Sequence, residues 1–184
     1  MFSLISSLVN GIKGGVTAGL QGTADVASDA VNVVKNTTVS VLKETGEFAK
    51  EALDVPASLV KGAFDGISEM GVSVITAVKG VVNGTVQGLM ESGSQQDVAV
   101  KGAVAQALHS AKELGLDVGE TAVESVKGAV DGVKQVGGDT VEATKIAVVS
   151  AVDTAKELGT DVADTVKDSL SAGVEGAKDI IDAL

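Results

Sequence analysis

The sequence predicts an all-α protein of amphipathic helices, and three observations predict it. The chain repeats itself every 11 residues, its apolar residues keep helical spacing, and its composition removes most other classes. Compare Lys101-Gly-Ala-Val-Ala-Gln-Ala-Leu-His-Ser-Ala-Lys-Glu-Leu-Gly115 with Lys145-Ile-Ala-Val-Val-Ser-Ala-Val-Asp-Thr-Ala-Lys-Glu-Leu-Gly159, offset by 44. Val60-Lys-Gly-Ala-Phe-Asp-Gly-Ile recurs as Val126-Lys-Gly-Ala-Val-Asp-Gly-Val, offset by 66. Both offsets are multiples of 11, and one register runs from Ile5 to Ile181. Eleven residues make three turns at 3.67 residues per turn, so an apolar stripe runs nearly parallel to the helix axis.

Numbering the repeat from Ile5, columns 1, 4, 5, 8 and 11 are mostly apolar or small, and they share one arc. The predicted stripe includes Val60, Phe64, Val82, Val86, Val104, Leu108, Val126, Val130, Val148, Val152, Leu158, Leu170 and Val174. Columns 6, 9 and 10 carry charge, as at Asp153, Lys156 and Glu157. Column 7 is small and borders the arc: Gly66, Ala77, Gly88, Ala99, Gly132, Ala143 and Gly176. With column 3 it forms the pairs Gly62/Gly66, Gly84/Gly88 and Gly128/Gly132, an edge that lets another helix approach closely.

The chain is read as one helical repeat region, 1–184, in two arms. Arm 1 spans 1–91, and Pro56 is expected to kink it or to start a helix after Asp54. Ser92-Gly93-Ser94-Gln95-Gln96-Asp97 places Gln96 and Asp97 at apolar columns, which predicts a turn over 92–97. Ser94 with Asp97 is expected to form a capping box there. Arm 2 spans 98–184 and is expected to return antiparallel to arm 1. A 22-residue period overlies the repeat, with Gly71, Gly93, Gly115, Gly137 and Gly159 alternating with valines in column 1. At Gly115, Gly137 and Gly159 an Asp follows two residues on and an acid three later, which fits a helix end followed by a new N-cap. Unbroken 11-residue phase through each glycine favours a continuous helix instead.

Pattern and propensity pull against each other. Each helical Gly costs ~1 kcal/mol relative to Ala, Val and Thr cost a few tenths, and there are 23 Gly. Helix is therefore expected only where the stripe is covered, by an apolar phase or by other helices in an oligomeric bundle. A buried Val contributes about 1.5 kcal/mol, so many linked repeats must act together.

Composition bounds the chemistry. The 184 residues hold no Cys and a single His, which leaves no thiolate metal site and no His cluster. A formal net charge of −11 opposes binding to nucleic acid or to anionic membranes. The apolar start, Met1 to Ile12, lacks a positive n-region, so no signal peptide is expected. Gly71–Met90 is the most hydrophobic stretch, but Lys79, Asn83 and Gln87 oppose a membrane span. The expected compartment is intracellular, with the chain soluble or peripheral to a lipid or granule surface.

Segments such as Val126–Lys145 resemble the eleven-residue amphipathic repeats of perilipins and synucleins. Apolipoproteins and late-embryogenesis-abundant proteins share the period. The resemblance implies a helix lying on lipid droplets, vesicles or lipoproteins. This chain departs from those families in being acidic rather than lysine-rich, and its mean hydropathy of +0.33 exceeds that of late-embryogenesis proteins.

Individual sites read blandly. His109 falls on the charged face and is expected to be solvated. Asp117/Glu120, Asp139/Glu142 and Asp161/Asp164 read as caps or solvated acids, not metal ligands. Asp131/Lys134, Asp153/Lys156 and Glu175/Lys178 read as helix-surface ion pairs. Phe48 and Phe64 read as core. No catalytic residues, cofactor or metal are expected. The expected function is that of a non-enzymatic structural protein coating a lipid or other apolar surface. A self-assembling bundle or filament is the alternative, a desiccation or cold-stress protectant the next, and ice binding the most distant. The expected partners are lipid, another apolar surface or further copies of the chain.

Overall fold

A computed structural model describes residues 2–45 and 54–184. Its described residues are all-helical: α1 (Phe2–Leu20), α2 (Val26–Thr45), α3 (Asp54–Glu69), α4 (Val74–Glu91), α5 (Gln96–Leu114), α6 (Val118–Gln135), α7 (Thr140–Leu158), α8 (Thr160–Gly173) and α9 (Ala177–Asp182). Odd-numbered helices pack on one another in order, even-numbered helices do the same, and α1 with α2, and successive helices from α3 on, join the two rows. The result is a two-layer stack of helical hairpins, in which each helix touches near neighbours in sequence.

The all-α class and the amphipathic packing are as the sequence predicts. Continuity is what differs. The turn expected at 92–97 exists, with α4 ending at Glu91 and α5 starting at Gln96, but it is one of a series. Gly71, Gly93, Gly115 and Gly137 each take positive φ, from 69 to 97°, and end a helix. At Gly93 the Schellman pattern is complete: Gly93 N–H donates to Met90 O at 3.0 Å and Ser94 N–H to Leu89 O at 2.9 Å. The same pair of bonds closes α5 at Gly115 and α6 at Gly137. Phase survives these turns because helix plus turn is itself a 22-residue unit. Repeating a fixed unit preserves phase as well as a continuous helix does.

One local expectation is corrected, and for Pro56 the second alternative, a helix start, is what forms. The capping box at Ser94/Asp97 does not form; Gln95 is the N-cap without a side-chain bond, and Ser94 Oγ is buried without a partner. Ser94's backbone is committed to closing α4, which carries its side chain inward. Pro56 stands in the first turn of α3, where its missing N–H costs no helical bond. Phe48 lies outside the described residues.

The stripe is covered inside one chain. Val60, Phe64, Val82, Val86, Val104, Leu108, Val126, Val148, Val152 and Leu170 are buried, and Val130, Leu158 and Val174 pack partly buried against them. The cover expected from an oligomer or a lipid phase is supplied by neighbouring helices of the same molecule. One continuous core therefore threads the stack.

Candidate functional site: the helix seams and their ion-pair ladder

The seams between helices n and n+2 are the most specific surfaces in the molecule. In α3, a Cβ added to Gly62 would lie 2.6 Å from the Val9 carbonyl oxygen, and one on Gly66 3.0 Å from that of Lys13. In α4, Gly84 meets Val31 O at 2.5 Å and Gly88 meets Lys35 O at 3.0 Å on the same test. In α6, Gly128 meets Lys79 O at 2.4 Å and Gly132 meets Asn83 O at 2.9 Å. The contacts advance together along both helices, so the seams are parallel. Backbone meets backbone, which adds dispersion and Cα–H···O contacts that larger residues would forbid. The three predicted small-residue pairs thus serve helix packing within the chain.

Of the predicted edge, Gly66, Ala77, Gly88, Gly132 and Ala143 are buried in helices. Gly176 is different: it is exposed, with φ of 78°, and precedes α9 as its N-cap. Its column falls in a turn because α8 stops at Gly173.

An ion-pair ladder crosses the same seams. Lys13 Nζ lies 2.5 Å from Glu69, Lys35 2.9 Å from Glu91, Lys61 3.2 Å from Glu113 and Lys79 2.9 Å from Asp131. The next rung is His109 with Glu157, at 3.9 Å. Each rung joins helix n to helix n+2. Glu69, Glu91, Glu113 and Glu157 all stand two residues before a turn glycine. Glu69's hydrogen bond holds the Lys13 ammonium above its ordinary pKa, against a smaller opposing effect of desolvation. These side chains are partly solvated, so the ladder sets register more than stability.

Sequence reasoning missed this ladder. It assigned Asp131 to Lys134 and Glu175 to Lys178, whereas Asp131 faces Lys79 across the seam and Lys178 pairs with Asp182. Only Asp153/Lys156 pairs as expected, at 3.4 Å. The Glu recurring two residues before Gly71, Gly93, Gly115 and Gly159 was the available signal.

Polar groups also fasten the turns. Gln96 Nε2 donates to Asp139 O at 2.8 Å, and Asp139 N–H donates to Gln96 Oε1 at 3.0 Å. That pair of hydrogen bonds between α5 and the α6–α7 turn explains a polar residue in an apolar column. Asp117 Oδ1 accepts from Glu120 N–H, and Asp139 Oδ1 accepts from the Val141 and Glu142 N–H groups. These two acidic pairs are N-caps. Asp161 is not, since α8 begins one residue earlier and Gly159 is its N-cap.

A groove of about 420 Å³ opens between α5 and α7, with His109 in its wall. The hydroxyl of Ser150, in the same wall, donates to the Lys101 carbonyl. Among the described residues no group of three or more His, Cys, Asp or Glu converges to hold a metal ion, and no helix is long and apolar enough to cross a membrane.

The stack has a designed counterpart. The crystal structure of the de novo designed helical repeat protein DHR7 matches with a TM-score of 0.58 at 18% identity, covering 94% of this chain and 96% of that one. The likeness shows a helical repeat fold. No family model matches the chain, and no curated protein does.

Proposed function

We propose that the chain is a non-enzymatic structural protein whose amphipathic 11-residue-repeat helices coat a lipid or other apolar surface. One observation carries this reading: the 11-residue phase runs through the turn glycines. Gly71, Gly93, Gly115, Gly137 and Gly159 all occupy column 1 of the stripe. Glycine adopts left- and right-handed helical backbone with similar ease. Straightening such a turn would fuse two helices into one, with the apolar stripe continuous across the junction. A closed stack and an extended coat therefore share a single stripe, and opening exchanges burial against protein for burial against the apolar phase.

The closed stack offers little to lipid directly, since only Leu114, Val141 and Leu184 are large exposed hydrophobics among the described residues. Binding thus demands opening. The acidic charge directs the coat to neutral apolar surfaces.

Spin labels at Lys112→Cys and Lys156→Cys test this reading. These positions are 44 residues apart, on neighbouring helices of the stack. Their separation should grow from roughly 10 Å, one interhelix spacing, to roughly 66 Å on a neutral triacylglycerol emulsion. A pair that stays close while emulsion is added contradicts the coat.

Self-assembly is the second reading, favoured by one feature. Apart from Lys43 and Glu44 at the end of α2, the exposed positions of α1 and α2 are uncharged and mostly small, including Asn10, Gly14, Ala18, Ser28, Asn32 and Ser40. Another copy could lie there without charge repulsion, and sedimentation equilibrium of the lipid-free protein tests it.

A further inference from the structure

The α3–α5 and α5–α7 seams are the same structural unit, 44 residues apart, and they differ at one informative place. In the first, the Lys61 side chain crosses to Glu113, with Nζ 3.2 Å from Oε2, and lies 3.8 Å from Asp65. Forty-four residues on, the corresponding positions are Ala105, Glu157 and His109. At Ala105 the four-carbon stem and ammonium of Lys61 have no counterpart. The lysine that crosses this seam is Lys112, nearer the end of α5, whose Nζ donates to the Leu158 carbonyl at 2.8 Å. The groove of about 420 Å³ lies there, with Ala105, Ile146 and Val149 among its lining residues. Glu157 keeps its carboxylate, with the His109 imidazole 3.9 Å away.

We propose that this groove binds a linear alkylamine of about four carbons, with the chain along Ala105, Ile146 and Val149 and the ammonium on Glu157. The intact copy at Lys61 shows how such a charge is held: the ammonium crosses the seam to the glutamate of helix n+2. The charges lining the groove orient the ligand. Lys101 and Lys145 stand with Glu142 towards the N-terminal ends of α5 and α7, a net positive end, whereas Asp153 and Glu157 stand towards the C-terminal end of α7. An ammonium is repelled from the first end and drawn to the second. One solvated carboxylate and a short apolar wall make a weak site, with a Kd on the order of millimolar.

The test is a titration with n-butylammonium chloride at constant ionic strength, followed through the methyl resonances of Ile146 and Val149. Saturable shifts are expected in the unmodified protein. Ala105→Lys rebuilds the missing lysine and should weaken binding at least about tenfold. Glu157→Gln, a surface change that leaves the core intact, should do the same. Lys61→Ala should create a second site, read at Ile67 and Leu108 in the α3–α5 seam. Equal shifts with n-butanol would overturn the proposal, as would an unchanged titration in both Ala105→Lys and Glu157→Gln. Failure of Lys61→Ala to yield a second site would also contradict it.

Discussion

Gly128 in α6 lies directly against the backbone of Lys79 in α4: a Cβ on Gly128 would stand 2.4 Å from the Lys79 carbonyl oxygen. That oxygen belongs to helical backbone and cannot swing away. Gly128→Ala should destabilise the protein by about 1–3 kcal/mol through overpacking, although Ala is the better helix former. Gly14, an exposed residue of α1, has nothing within 4 Å of the same added atom. Gly14→Ala should stabilise by about 0.5–1 kcal/mol. Urea midpoints of the two variants check the opposite signs, and equal effects would contradict the close seam.

Asp139 carries both the α7 N-cap and the Gln96 clasp. Its carboxylate accepts two backbone N–H groups at 3.0 Å each. Asp139→Ala should cost about 1 kcal/mol, within the usual range for a lost N-cap. Gln96 bonds to Asp139's backbone, so its clasp should survive the change. Thermal unfolding of the single and double variants, with Gln96→Ala as partner, measures whether cap and clasp add independently.

Thr85 is fully buried in α4, and its hydroxyl has no hydrogen-bond partner. Replacing it with the nearly isosteric Val removes an unsatisfied polar atom while keeping the shape. Thr85→Val should raise stability by about 1 kcal/mol. Denaturant titration should show a higher midpoint with an unchanged slope. A loss of stability would mean that the hydroxyl is satisfied in solution.

Asp25 opens α2 by accepting the Ser28 hydroxyl at 2.7 Å and the Ser28 N–H at 3.1 Å. The Ser28 hydroxyl first, and the backbone bond next, hold its carboxyl below the ordinary carboxylate value. Because the folded pKa is the lower one, this carboxylate's contribution is fully present above about pH 4 and is lost as pH falls through the folded value. Asp25→Asn should therefore be less stable than the parent at neutral pH, and the gap should close on acidification. A gap independent of pH between neutral and strongly acidic solution would contradict the assignment.

The stripe was legible because burial follows hydropathy: Val104, Leu108 and Val126 lie in the core as their columns predict. The Asp117 and Asp139 caps were legible too, since an Asp two residues after glycine has a local partner three residues on. Helix continuity was not. Gly115 in column 1 reads equally as a helical residue or a left-handed turn, and only packing against neighbouring helices decides. The cross-seam partners of Lys61 and Lys79 were hidden for a related reason. They depend on the stagger of helices about 50 residues apart, which no local pattern encodes. The α5–α7 groove is legible only once Ala105 is aligned with Lys61 as a structural equivalent.

The central claim is that one chain covers its own apolar stripes. Far-ultraviolet dichroism across about a thousandfold dilution, paired with sedimentation, tests it most directly without lipid. The account predicts a constant, high helical content and, at the lowest concentrations, a species of 18.2 kDa. Helix that melts on dilution, or appears only when lipid is added, would contradict it.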